Sequence, residues 1–448
     1  MVKDMTVGSP MKLIISFSIP VLIGNLFQQF YNMVDAIIVG QCIGANALGA
    51  VGATGALTFL ILGFVFGMTG GFSVIAAQRF GANDEDGLRH AVAMSIYLSA
   101  AITVILTALS VVLARPLLEL MQTPAEIIDD SYAYIIVIFA GIAAPLFYNL
   151  LSGVLRALGD SKTPLYFLIV SSLLNVVLDL LFIAVFQMGV AGAAYATIIA
   201  QLVSGLLCLL FIYKKFPILH FRRGDWEFDL ESISAQLRLG LPMALQFSIT
   251  AIGVIAMQSA INGFGPTVVA SFTASSKVEQ IMTMPFMTLG ATCATYAGQN
   301  LGAGRYDRIH QGVRKASLLT VICAIASALL ILLLGKPMMH MFLRADQREA
   351  IDYGLRYLNI ILIFFIPLGT IFVFRNILQG IGKPFMPMMA GASELVMRCV
   401  FALLFARLGS YDGVCLSSPI AWIGAAIPLV IAYFYWYRRS TAAMPDKK

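Results

Sequence analysis

Four carboxylates lie inside otherwise apolar stretches of this 448-residue chain: Asp35, Asp179, Glu279 and Glu394. Three bases do the same: Lys277, Arg375 and Arg398. In a membrane interior each such group costs about 2.5–3.5 kcal/mol on insertion scales, so each needs a reason. The stretch GNLFQQFYNMVDAIIVG places Gln28, Tyr31 and Asp35 at i, i+3 and i+7, on one face of a helix. The stretch SSLLNVVLDLLFI places Asn175 and Asp179 one turn apart. No lysine or arginine lies in the interior of the apolar stretches of the first half. A carboxyl buried without a cation favours its neutral form, and it can take up and release a proton as its hydration changes. The competing reading has Asn175, Tyr31 and backbone donors satisfying both aspartates structurally.

The elements that carry these groups follow from composition. The chain is 59% hydrophobic and 12% charged, against roughly 25% charged in an ordinary soluble domain. Uncharged runs such as Ala91–Leu113, Tyr132–Leu155 and Ala316–Gly335 reach the ~20 residues that cross a bilayer core as helix. Apolar runs between polar breaks predict twelve spans, near 11–39, 48–75, 91–113, 131–155, 163–186, 190–213, 239–262, 267–297, 312–334, 353–380, 386–407 and 414–437. The second, eighth and tenth are long enough to be tilted or broken. Asp35 and Asp179 each lie ~20–30 Å along their helices from the N-terminal side of the membrane, so they share the outer half of the bilayer. The fold class expected is an all-α polytopic membrane protein.

Orientation follows from the basic residues. Of 29 Lys and Arg, twenty fall in the termini and the alternate short segments on their side, and six fall in the opposite loops. That bias predicts both termini in the cytoplasm. It also accounts for the net charge of +6 without any nucleic-acid partner. The start, MVKDMTVGSP, is polar and runs straight into the first span, so no cleavable leader is expected. Six scattered cysteines without CxxC spacing read as packing residues, and four histidines in loops form no metal site. No cofactor is expected.

The chain repeats itself. AAQRFGANDEDGLRHAV, from Ala76, returns as AGQNLGAGRYDRIHQGV, from Ala297, at an offset of 221. SGVLRALGDSKTPL returns as RNILQGIGKPFMPM at 223, and Pro20 returns as Pro242 at 222. Two six-helix halves result, 1–213 and 239–448, joined by a cytoplasmic linker over 214–238 in which Asp229 caps a short amphipathic helix. An even helix count per half makes the halves parallel pseudo-symmetric bundles, the arrangement of an alternating-access carrier. A static scaffold is the bland alternative. The repeated loops suit tight helix connections or hinges.

The second half does not copy the acids: Asp35 plus 222 is Met257, and Asp179 plus 223 is Ala402. Glu279 has Lys277 on its own helix and Arg375 in span 10 as expected partners, and Glu394 precedes Arg398 by one turn. These read as a paired, largely structural network, with cargo binding or gating as the functional alternative.

Taken together, FYNMVDAIIVGQCIGANALGAVGA, the AQRFGA and GQNLGAG loops, RALGDSKTP, NVVLD and SSKVEQIMTMP resemble the multidrug and toxin extrusion family over essentially the whole chain. The resemblance implies a secondary antiporter of the bacterial inner membrane, a functional monomer that expels organic, often cationic and amphipathic compounds against proton or sodium entry. It assigns ion coupling to Asp35, Asn175, Asp179 and Thr197, and cargo contact to Gln28, Tyr31 and Tyr134, with neighbouring Tyr132 as the alternative to the last. Span 7 offers Gln246 and span 10 Arg375 where sodium-coupled members carry acids, which disfavours a sodium site in the second half. Lipid-linked precursor flippases resemble this fold, but would be expected to carry more cavity cations. An enzyme is disfavoured, because HExxH, GxSxG and nucleotide-loop signatures are absent.

Overall fold

A computed structural model describes residues 4–344 and 346–442. The helices run α1 Pro10–Cys42, α2 Ala45–Gly81, α3 Glu85–Leu120, α4 Ile128–Ala140, α5 Ala143–Ala157, α6 Lys162–Asp179 and α7 Val190–Lys215. They continue with α8 Leu230–Asn262, α9 Pro266–Gly302, α10 Tyr306–His340, α11 Arg348–Leu362, α12 Phe365–Gly380, α13 Phe385–Arg407 and α14 Tyr411–Ala442. A π-helical turn, Leu180–Val185, extends α6.

Among the described residues nine helices are long and apolar enough to cross a membrane, and two bent pairs bring the number to eleven. The twelfth span is α9, 37 residues long. Its apolar residues are interleaved with Ser271, Thr273, Ser275, Ser276, Lys277, Glu279 and Gln280. Side chains such as Val112 and Leu333 are about three-quarters exposed, a surface suited to lipid rather than water.

Two spans break. The pair α4 and α5 bends by 46°, and α11 and α12 bend by 55°. Pro145 and Pro367 each occupy the third position of the second helix in their pair. A proline there withholds an N–H and crowds the carbonyl four residues back, so the helix breaks just before it. Of the three spans long enough to be tilted or broken, the tenth is broken. The fourth span also breaks, whereas the second and eighth run unbroken as α2 and α9.

Two compact units form. One is built around Ile19–Phe247, and the other joins Met5–Ser18 to Ser248–Lys448. The division therefore falls inside α1 and inside α8, not in a linker. The short helix expected after Asp229 is in fact the first turns of α8, whose exposed N–H groups at Glu231 and Ser232 the Asp229 carboxylate accepts at 2.9 and 3.0 Å. Those bonds hold the Asp229 carboxyl below the usual carboxylate range.

Within the units the packing repeats. In the first, α2 packs on α3, α4 and α5, while α7 packs on α4, α5 and α6. In the second, α9 packs on α10, α11 and α12, while α14 packs on α11, α12 and α13. The repeated loops end their helices in one way. Asp84 N–H donates to Arg79 O, and Arg305 N–H donates to Asn300 O, each closing a six-residue turn. The residue between, Asn83 or Gly304, is left-handed at φ +55° or +67°. Gly159 and Gly382 repeat the device at +82° and +77°.

These loops also anchor chain segments. In the second unit Met5 N–H donates to Gln299 Oε1 at 2.8 Å, and Asn300 and Arg308 both donate to Met5 O at 3.1 Å. In the first unit buried Arg89 donates to Asp225 Oδ2 at 3.1 Å, and Gln236 donates to Ala91 O at 2.7 Å.

Inside the first unit α2 meets the start of α8 through small residues. A Cβ at Gly67 would lie 2.3 Å from Ala244 Cα, and one at Gly71 2.5 Å from Gly240 Cα. Neither can move without separating two backbones. Gly67→Ala is expected to cost about 1–3 kcal/mol by overpacking, read as a lower melting temperature in detergent. Gly52→Ala, on the same helix with nothing within 4 Å, is the matched control and leaves the melting temperature unchanged or higher.

Candidate functional site

Four helices of the first unit converge on one polar cluster. From α1 come Tyr31 and Asp35, the latter 9% exposed. From α6 come Asn175 and Asp179, 1% and 0% exposed. Thr197 and Gln201, one turn apart, come from α7, and Tyr134 comes from α4. Helical spacing alone puts each pair on one face. Asp179 is the last residue of α6, and the π turn begins at Leu180. Such turns shift the register of the backbone ladder and concentrate at functional sites.

The carboxyls of Asp35 and Asp179 face each other within hydrogen-bonding reach. Asn175 donates through Nδ2 to Thr197 Oγ1 at 3.4 Å. The Tyr31 hydroxyl lies beside Thr197 and Gln201, and within electrostatic range of both aspartates. Tyr134 lies close to Asp35, Asp179 and Tyr31. Its neighbour Tyr132 instead turns its ring under the Arg115 guanidinium, 5.8 Å from the centroid, so of the two tyrosines Tyr134 belongs to the cluster. Gln28 is half-buried on the Tyr31 face of α1.

Asp35 Oδ1 and Gln201 Oε1 are buried without a hydrogen-bond partner. Buried acceptors of that kind cost about 1–3 kcal/mol each unless something donates to them. Two ionised carboxylates ~4 Å apart would repel by about 4 kcal/mol at an effective dielectric of 20. One proton between the aspartates removes that repulsion and supplies a donor. Gln201 was not legible beforehand, because a glutamine in an apolar helix announces nothing until its neighbours are known. Its spacing of four from Thr197 was the available signal.

Among the charged residues of the second unit the expected Glu394–Arg398 pair forms, while the partners expected for Glu279 do not. Glu394 on α13 binds two guanidinium groups: Arg398 NH2 donates to Oε1 at 2.6 Å and Arg375 NH2 to Oε2 at 3.1 Å. Arg375 thus reaches Glu394 rather than Glu279. Glu279 accepts from the Tyr357 hydroxyl at 2.7 Å and has Arg398 within electrostatic range. Lys277 is exposed and joins neither acid in an ion pair among the described residues. Two residues apart on a helix, Lys277 and Glu279 point to opposite sides, which is why they do not pair.

A family model described as MatE matches residues 20–181 and 242–404. The two segments begin at or beside the repeated Pro20 and Pro242, one in each half. The chain is similar to the probable multidrug resistance protein YpnP of Bacillus subtilis (strain 168), 32% identical over 96% of each chain. It is also similar to the probable multidrug resistance protein YoeA of the same organism, 28% identical over 83% of this chain and 81% of that one. Among solved structures, the crystal structure of MATE in complex with MaL6 superposes with a TM-score of 0.89 at 25% identity, covering 98% of each chain.

The second-unit network ranks its own variants. Glu394→Gln takes the shared carboxylate charge from both Arg375 and the buried Arg398 and is expected to cost about 3–5 kcal/mol. Arg398→Gln leaves the Arg375–Glu394 pair in place and costs less. Melting of the purified proteins checks the order, and an Arg398→Gln variant less stable than Glu394→Gln would contradict it.

Proposed function

This chain belongs to the multidrug and toxin extrusion family, and on that premise we propose that it is a proton-coupled antiporter exporting organic, cationic amphipathic compounds. The observation that carries the reading is the buried aspartate pair in spans whose interiors hold no lysine or arginine. The protein lies in a bacterial inner membrane as a multi-pass monomer with both termini cytoplasmic, and it requires no cofactor, nucleic acid or covalent chemistry.

Exchange follows from competition for one site. With Asp35 and Asp179 sharing a proton, the pair carries one negative charge and holds a cation less strongly than when both are ionised. When the proton leaves, the pair carries enough charge to hold a cationic cargo, steadied by Tyr31, Gln28 and Tyr134. Asn175 and Thr197 hold the donors and acceptors around Asp179 in place. Proton entry from outside then discharges the cargo. Alternating access lets the two occupants use opposite sides of the membrane. Sodium is the alternative ion for the same acids. A lipid-linked precursor flippase fits less well, because a diphosphate head group needs several cations without acids beside them, and Arg375 and Arg398 share the Glu394 carboxylate.

Asp35→Asn and Asp179→Asn each remove a buried charge and are expected to fold. Each should lose proton-driven export by at least about tenfold, one 1.4 kcal/mol step in free energy. Dye export from vesicles is measured under an imposed pH gradient and, separately, under a sodium gradient. Wild-type rates in both variants would overturn the assignment. Transport driven by sodium alone would keep the site and replace the ion.

A further inference from the structure

The repeat brings a second polar cluster into view, at the place in the second unit that matches the aspartate pair. At the offsets of the repeat, Met257 stands where Asp35 does and Gly253 where Tyr31 does. Arg398 stands at the place of Asn175, and Ala402 at the place of Asp179. The acids have gone and a guanidinium has arrived. A Cβ on Gly253 would lie 3.1 Å from Arg398 NH1, so the guanidinium extends to where a side chain at position 253 would begin.

Arg398 is 9% exposed, yet its donors are not used up. NH2 is bonded to Glu394, whereas Nε is buried without any hydrogen-bond partner. An orphaned N–H on a charged group in so dry a place is a standing cost, which an acceptor entering from outside would relieve. The surrounding charges are Glu279, Glu394 and Arg375, so the four groups sum to zero with both acids ionised. Glu279, already held by Tyr357, is then the internal anion that competes for Arg398.

We propose that this cluster receives an oxyanion, the carboxylate of a cargo molecule, on the free donors of Arg398. The proposal rests on the export of organic compounds, and it adds a specificity element that the acid pair cannot supply. Arg398 is a specificity residue: it distinguishes molecules that carry an acid from those that carry its ester.

The test uses the full-length protein in lipid nanodiscs, with no gradient, and two dyes that differ in one group. These are tetramethylrhodamine as the free carboxylic acid and as its methyl ester, followed by fluorescence anisotropy. Wild type is expected to bind the acid about tenfold more tightly than the ester, the order of one charge-assisted hydrogen bond. Arg398→Gln should bring the ratio to about one, and Glu279→Gln should raise it by removing the competing anion. Gly253→Val crowds NH1 while leaving every charge in place, and it should lower the ratio even if Arg398→Gln does not fold. Equal affinity for the two dyes in wild type, or no binding of the acid, overturns the proposal. So does a preference for the acid that survives both Arg398→Gln and Gly253→Val. Binding of the ester alone would sink this inference and leave proton-driven export standing, since that depends on the gradient experiment.

Discussion

Two carboxyls held face to face, with no lysine or arginine in the interior of the surrounding spans, are the constraint on which the first unit depends. Asp35 and Asp179 are nearly or fully buried, and ionising both would bring like charges together in a low dielectric. A fold does not tolerate that arrangement without positioning groups. Helix α1 offers Tyr31 one turn before Asp35, α7 offers Thr197 and Gln201, and α4 brings Tyr134. The bend between α4 and α5 at Pro145 and the π turn after Asp179 are the local distortions in these spans. They fall on elements that carry cluster residues, as expected where backbone regularity yields to a site.

Repetition of the fold did not bring repetition of the chemistry. The backbone devices recur almost number for number: left-handed residues at Asn83 and Gly304 and at Gly159 and Gly382, bends at Pro145 and Pro367, and the same neighbour relations among helices. These depend on glycine, asparagine and proline, whose backbone preferences a helix end or a break requires. Side chains in the middle of the spans carry no such requirement. There the second unit exchanged two aspartates for methionine and alanine and placed Arg398 between Glu394 and Glu279. One unit therefore presents acids without bases, and the other presents bases largely consumed by acids.

Much of this was legible in the residues. Apolar runs predicted the spans, because a bilayer demands length and apolarity before anything else. Spacing put Gln28, Tyr31 and Asp35 on one helix face, and Asn175 beside Asp179. What sequence spacing could not reach was the third dimension across helices. Arg375 was expected at Glu279 and is bonded to Glu394, because partners on different helices are chosen by packing. Tyr357 and Gln201 were missed for the same reason. The break in the fourth span was written in Pro145, but a proline three residues into a helix looks like an ordinary first turn until the preceding helix is seen. The compact units divide inside α1 and α8, where nothing in the composition changes.

The central claim is that cargo and proton occupy the aspartate pair in turn. Proton counting on the purified protein tests it directly. A cationic dye is added to unbuffered protein near pH 7, and the change in free proton concentration is followed with a pH indicator. The account predicts that dye binding releases protons from the wild type and none from the Asp35→Asn, Asp179→Asn double variant. Dye that binds the wild type without releasing a proton, or a release that persists in the double variant, would contradict it.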